Sequence, residues 1–115
     1  MGENTGIVLT EAVYYILLSL TKPLHGYGIM QKIGEMTDGR LIVSAGTLYG
    51  AINTLLERGW IVQHAADRDS RRKEYVITDV GRQVLVNELE RLRELVDNGE
   101  NILSKFKFSF NIHVK

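Results

Sequence analysis

The sequence predicts a mainly α-helical chain with one small β-hairpin and a long final helix. Three observations predict it. Apolar residues recur at helical spacing in four stretches. Each stretch is opened by a capping hydroxyl or a helix-breaking turn. Between the third and fourth stretches, two short runs rich in aromatic and β-branched residues flank a polar, charged tip.

The first helix is expected to begin at Thr10, whose hydroxyl caps the run Glu11 to Leu20. Val13, Ile16, Leu17 and Leu20 make one apolar stripe, while Tyr14, Tyr15 and Leu18 cover much of the other side. A helix apolar nearly all round needs burial on two sides, and a second subunit is the simplest source of the second. Lys22-Pro23 breaks this helix, and His25-Gly26-Tyr27-Gly28 leads into another with Ile29, Ile33 and Met36 inward. Asp38-Gly39 ends it as a turn. Leu41-Ile42-Val43 reads as a short strand, and Ser44 caps a third helix with Leu48, Ile52, Leu55 and Leu56 inward. Arg58-Gly59 stops that helix. Trp60 to Ala65 and Glu74 to Ile77 read as the hairpin strands around the tip 66–73. Thr78 caps a fourth helix from about Asp79. This order is that of a winged helix-turn-helix domain followed by a long C-terminal dimerisation helix. The expected division is 1–78 for the winged domain, 79–103 for the dimerisation helix and 104–115 for a tail.

In the fourth helix Leu85, Leu89, Leu92 and Val96 recur at spacings of four, three and four, a short a/d seam. Packing on its own domain and pairing with a second copy both fit. Pairing is preferred because the outer faces of helices one and four then cover each other. The tail alternates Phe106, Phe108, Phe110, Ile112 and Val114 with polar residues, an amphipathic strand pattern, although Leu103, Phe106 and Phe110 also extend the heptad seam.

The length of 115 residues, with 44% hydrophobic and 24% charged residues, allows one modest core that a second copy would help to complete. The absence of cysteine excludes disulfides and thiolate metal sites and suits a reducing compartment. The longest apolar run, Val13 to Leu20, is too short to span a bilayer, and Met-Gly-Glu-Asn lacks the basic start of a secretion signal. A cytoplasmic location without membrane attachment is expected. The formal net charge is zero, yet residues 22–73 hold eight Lys/Arg against five Asp/Glu, and residues 79–101 hold three against six. A basic half beside an acidic helix suits a DNA reader with a separate association element.

The third helix presents Thr47, Gly50, Ala51, Asn53 and Thr54 outward, a small polar face of the kind that enters a major groove. An ordinary solvated face has the same composition, and both readings stand. Arg68, Arg71, Arg72 and Lys73 make the hairpin tip a candidate phosphate anchor. Charged tips are ordinarily just solvated, so this one gains meaning from its place after a candidate reader helix. His25, His64 and His113 lie far apart, no metal-ligand spacing occurs, and neither a nucleophile elbow nor a phosphate-binding glycine loop is present. Catalytic residues, metal and cofactor are all expected to be absent.

Several stretches resemble the PadR family of bacterial transcriptional regulators. They are Leu24-His25-Gly26-Tyr27-Gly28-Ile29, Ser44-Ala45-Gly46-Thr47-Leu48-Tyr49-Gly50-Ala51-Ile52, Leu55-Leu56-Glu57-Arg58-Gly59-Trp60-Ile61, Arg71-Arg72-Lys73-Glu74-Tyr75 and Ile77-Thr78-Asp79-Val80-Gly81. The resemblance covers roughly residues 9–103 and fits the short subfamily with a single C-terminal helix. It implies repressors that bind palindromic operators in double-stranded DNA as homodimers and are released by small aromatic or phenolic effectors. By position, it implies DNA contact by Tyr27, Ser44, Thr47, Tyr49, Asn53, Arg71, Arg72 and Lys73. It likewise implies a dimer or effector role for Tyr14, Leu18, Leu92 and Val96, to which the seam adds Leu85 and Leu89. The alternative is a winged helix used for protein contact or ligand sequestration without DNA binding.

Overall fold

The computed structural model describes residues 7–64 and 72–106. Four helices and three short strands follow in the order α1 (Glu11–Ser19), β1 (Leu24–His25), α2 (Gly26–Met36), α3 (Ala45–Glu57), β2 (Ile61–His64), β3 (Glu74–Ile77) and α4 (Asp79–Ser104). The result is mainly α with a small antiparallel sheet of strand order β1-β3-β2.

Local side-chain chemistry sets the helix starts. Thr10, Ser44 and Thr78 each accept a backbone N–H from three residues on, at 3.1–3.2 Å. Val43, just before the Ser44 cap, and Leu48 are both buried, as a hydrophobic staple requires. Helix α3 ends in a Schellman motif. Gly59 N–H donates to the Leu56 carbonyl, Trp60 N–H donates to that of Leu55, and Gly59 takes a φ of +74°. The same pattern closes α2, with Asp38 at φ +57° followed by Gly39 at +79°.

The core is built from Ile16, Leu17 and Leu20 of α1 and its cap, Ile29 and Ile33 of α2, and Leu48, Ile52 and Leu55 of α3. Trp60, Ile61, Tyr75 and Ile77 close it from the hairpin, and Val84 and Leu85 from α4. Helix α4 enters this core at its first turn. A Cβ on Gly81 would overlap the Trp60 carbonyl oxygen and stand 2.7 Å from Ile77 Cγ1, so only glycine lets α4 lie this close to Trp60 and the end of β3. Its 26 residues span roughly 39 Å, and the molecule measures 61 × 35 × 21 Å.

The structure corrects three expectations. Leu41–Val43 is not a strand. Thr37 Oγ1 accepts the Leu41 N–H at 3.1 Å, Val43 turns inward and Ile42 outward at 83% exposure, so no ladder forms. The third strand is instead Leu24–His25, paired with Tyr75 and Glu74. Met36 is 39% exposed and does not join the inward stripe of α2. Leu85 is buried in the chain's own core, so the exposed part of the α4 seam begins at Leu89. Ala65, Arg68 and Arg71 of the hairpin and the tail from Lys107 to Lys115 lie outside the described residues.

Candidate nucleic-acid interface

Helix α3 buries Leu48, Ile52 and Leu55, which leaves Gly46, Gly50, Asn53 and Thr54 on the opposite, exposed side. Ser44 and Thr47 stand at its N-terminus. The Ser44 hydroxyl both accepts the Thr47 N–H and donates to Thr47 Oγ1 at 3.1 Å. A Cβ added at Gly46 or Gly50 would meet no neighbouring element within 4 Å. Each weakens the helix by about 1 kcal/mol relative to alanine, and no packing among the described residues requires either.

Tyr49 projects from one flank of α3 toward the start of α2. A Cβ on Gly26 would overlap the Tyr49 hydroxyl, so Gly26 is the gap into which this phenol fits. Tyr27, Tyr49, Arg72 and Lys73, from three separate segments, line one open cavity of about 430 Å³, joined by His25 and Tyr75. No carboxylate lines it among the described residues. Tyr75, at the back, has its phenol pushed above the ordinary range by burial and by the neighbouring Tyr49. Of the residues implied for DNA contact, the cavity gathers Tyr27, Tyr49, Arg72 and Lys73. Ser44, Thr47 and Asn53 are exposed on α3 outside it.

The profile of the PadR-like family of transcriptional regulators matches residues 15–87. The chain belongs to this family. Its PadR-like fold is similar to that of a PadR family regulator from Eggerthella lenta, at 27% identity over 79% of this chain and 80% of that one, with a TM-score of 0.65. A putative transcriptional regulator from Thermoplasma acidophilum is similar at 26% identity over 81% and 90%, with a TM-score of 0.62. A PadR family regulator from Clostridium difficile shares the fold at 21% identity over 82% and 98%, with a TM-score of 0.67. Among curated proteins no match was found. The PadR-like family is one of regulators and not of enzymes. No helix among the described residues is long and apolar enough to cross a membrane.

The residues implied for dimer and effector contact divide into two groups. Tyr14 and Leu18 are half-buried and pack against the chain's own core, as does Tyr15, so this face of α1 is less open than its periodicity predicts. Tyr14 and Tyr15 meet edge to face at 5.7 Å. On α4 the stripe that is buried at Val84 and Leu85 continues outward, with Leu89, Leu95 and Val96 between 44 and 53% exposed and Leu92 half-buried.

Glu88 was not legible as a site residue. It is 3% exposed, and its carboxylate accepts two hydrogen bonds from Arg91, at 2.9 Å from Nε and 2.7 Å from Nη2. Arg91 holds the carboxyl below the ordinary carboxylate range, and the Leu9 backbone N–H adds to this against the opposing effect of burial. Glu88 thus ties the segment before α1 to α4. A carboxylate with a lowered native pKa contributes stability above its unfolded value, about 4.3, and loses it as pH falls through the native one. The melting temperature is therefore expected to decline in acid below roughly pH 4.3. Glu88→Gln should flatten that part of the profile, and an unchanged acid slope in thermal melts would remove Glu88 from this role.

Proposed function

We propose that this PadR-like regulator is a cytoplasmic repressor that binds a palindromic operator in duplex DNA as a homodimer. One observation carries the proposal. Tyr27, Tyr49, Arg72 and Lys73 come from α2, α3 and the end of the hairpin tip, yet they line one cavity with no carboxylate among the described residues. Phosphate oxygens seek such a set of phenol, guanidinium and ammonium donors. Beside it, α3 offers Thr47, Asn53 and Thr54 on a face with two glycines, suited to close approach in a major groove. Ser44 and Thr47 would meet the DNA at the helix start, and Arg71 would extend the phosphate contact from the wing.

Dimerisation is proposed through α4, where Leu89, Leu92 and Val96 continue the apolar stripe past the end of the chain's own core. A dimer would place two α3 helices on two half-sites. Release by a small aromatic or phenolic effector belongs to the same reading, with Tyr14, Leu18, Leu92 and Val96 as its contacts. The Tyr14 phenol is raised above its ordinary range first by burial and then by the neighbouring Tyr15 and Glu88. A ligand there lowers DNA affinity only by favouring a dimer geometry that fits DNA less well.

The test separates anchoring from reading. Arg72→Ala with Lys73→Ala should weaken binding to all duplexes alike and reduce the salt slope by about 1.8 for each bound copy. Asn53→Ala should instead relax preference at particular bases, by about 1–3 kcal/mol for a good contact. Filter binding on specific and random duplexes in which both variants behave identically would remove α3 as the reader.

A further inference from the structure

His25 occupies two positions at once. Its Nδ1 accepts the Gly28 backbone N–H at 3.2 Å and caps α2. Its Nε2 stands 3.1 Å from Arg72 Nη1, and the ring lines the cavity beside Tyr49 and Lys73. A neutral imidazole carries one ring proton. If Nδ1 accepts from Gly28, the proton sits on Nε2 and faces another donor, the Arg72 guanidinium. If Nε2 accepts from Arg72, the first turn of α2 loses its cap.

The two demands are unequal. Gly28 N–H is part-buried in the first turn of a helix packed into the core. The Arg72 side chain is exposed and long, and solvent stands in readily for such a contact. The cap therefore fixes the tautomer with hydrogen on Nε2. An anion entering the cavity resolves the remaining donor-to-donor contact, because one oxygen accepts from Nε2–H while others accept from Arg72 and Lys73.

We propose that His25 is a DNA-backbone contact, a neutral Nε2–H donor to a phosphate seated between Tyr49, Arg72 and Lys73. The assignment rests on the DNA reading above. It makes His25 a joint between fold and function, with one nitrogen holding α2 and the other holding the ligand. Being uncharged, it adds affinity without releasing a counterion.

Two variants part the roles. Asparagine presents its amide oxygen near the position of Nδ1 and is a strong N-cap, but it has nothing at the position of Nε2. Glutamine does the reverse. His25→Asn is expected to melt within about 2 °C of the wild type while binding DNA roughly tenfold more weakly for each bound copy. Its salt slope should be unchanged, since no cation is removed. His25→Gln should melt lower yet keep affinity within roughly threefold. Wild-type affinity in His25→Asn, or a slope shallower by about one unit, would overturn the neutral-donor assignment while leaving the DNA reading in place. A wild-type protein with no affinity for duplex DNA at low salt would overturn both. Should His25→Asn fail to fold, His25→Gln decides: retained affinity supports the assignment and a tenfold loss overturns it.

Discussion

Leu89→Glu is expected to turn the proposed dimer into a folded monomer. Leu89 is 44% exposed in the single chain, so a glutamate there stays hydrated when the chain is alone and costs the fold little. In an α4-paired dimer the same carboxylate enters an apolar seam beside Leu92 and Val96. Desolvating it without a partner costs several kcal/mol in each copy. At 1.4 kcal/mol per tenfold, the dimer dissociation constant should rise by at least about 10⁴. Operator affinity should fall with it, because the second half-site no longer binds as part of one molecule. Sedimentation velocity with circular dichroism checks both parts. A helical, stable dimer of Leu89→Glu would remove the α4 seam from the account.

Gly81→Ala should have the largest effect on the fold itself. Alanine in place of glycine ordinarily stabilises a helix by about 1 kcal/mol. Here the added Cβ meets the Trp60 carbonyl, which also accepts the Thr78 N–H at 2.9 Å and the Thr78 hydroxyl at 3.0 Å. The backbone at Trp60 and the cap of α4 must shift together. Overpacking of this kind costs typically 1–3 kcal/mol in side-chain surroundings, and a rigid carbonyl puts this site at the upper end. Net destabilisation of about 2 kcal/mol corresponds to a melting temperature lower by roughly 8–16 °C. Gly99→Ala, in the same helix where the added Cβ meets no other element within 4 Å, is the control and should leave the melting temperature level or raise it. Equal behaviour of the two variants in thermal melts would contradict the packing of α4 on Trp60 and β3.

What the sequence made legible follows from how far each signal reaches. The caps at Thr10, Ser44 and Thr78 act over three residues, and their helices begin where those hydroxyls predict. The Gly59 stop is equally local. β1 was missed because two residues carry no periodicity, and Leu24–His25 is a strand only through its pairing with β3 some fifty residues on. Leu41–Val43 reads as a strand because a short apolar, β-branched run alone does not tell a strand from a staple followed by a cap. Glu88 interrupts an apolar stripe, which by itself reads as a solvated position. Its burial depends on Arg91 one turn away and on the Leu9 N–H from the other end of the domain.

The site shows the same division. The polar face of α3 follows from the spacing of Leu48, Ile52 and Leu55. That Tyr49 fills the space above Gly26, and that His25 meets Arg72 across 47 positions, are tertiary facts with no local trace.

The central claim is that the face formed by α3, Tyr27, Arg72 and Lys73 binds duplex DNA in a dimer. Fluorescence anisotropy tests it most directly, by titrating the wild-type protein against the intergenic duplex upstream of its own coding region from about 50 to 200 mM salt. The account predicts binding whose log affinity falls linearly with log salt. The slope should be no shallower than about −3.5, from two cations in each of two copies at about 0.9 apiece. No binding at the low-salt end, or binding indifferent to salt, would contradict it.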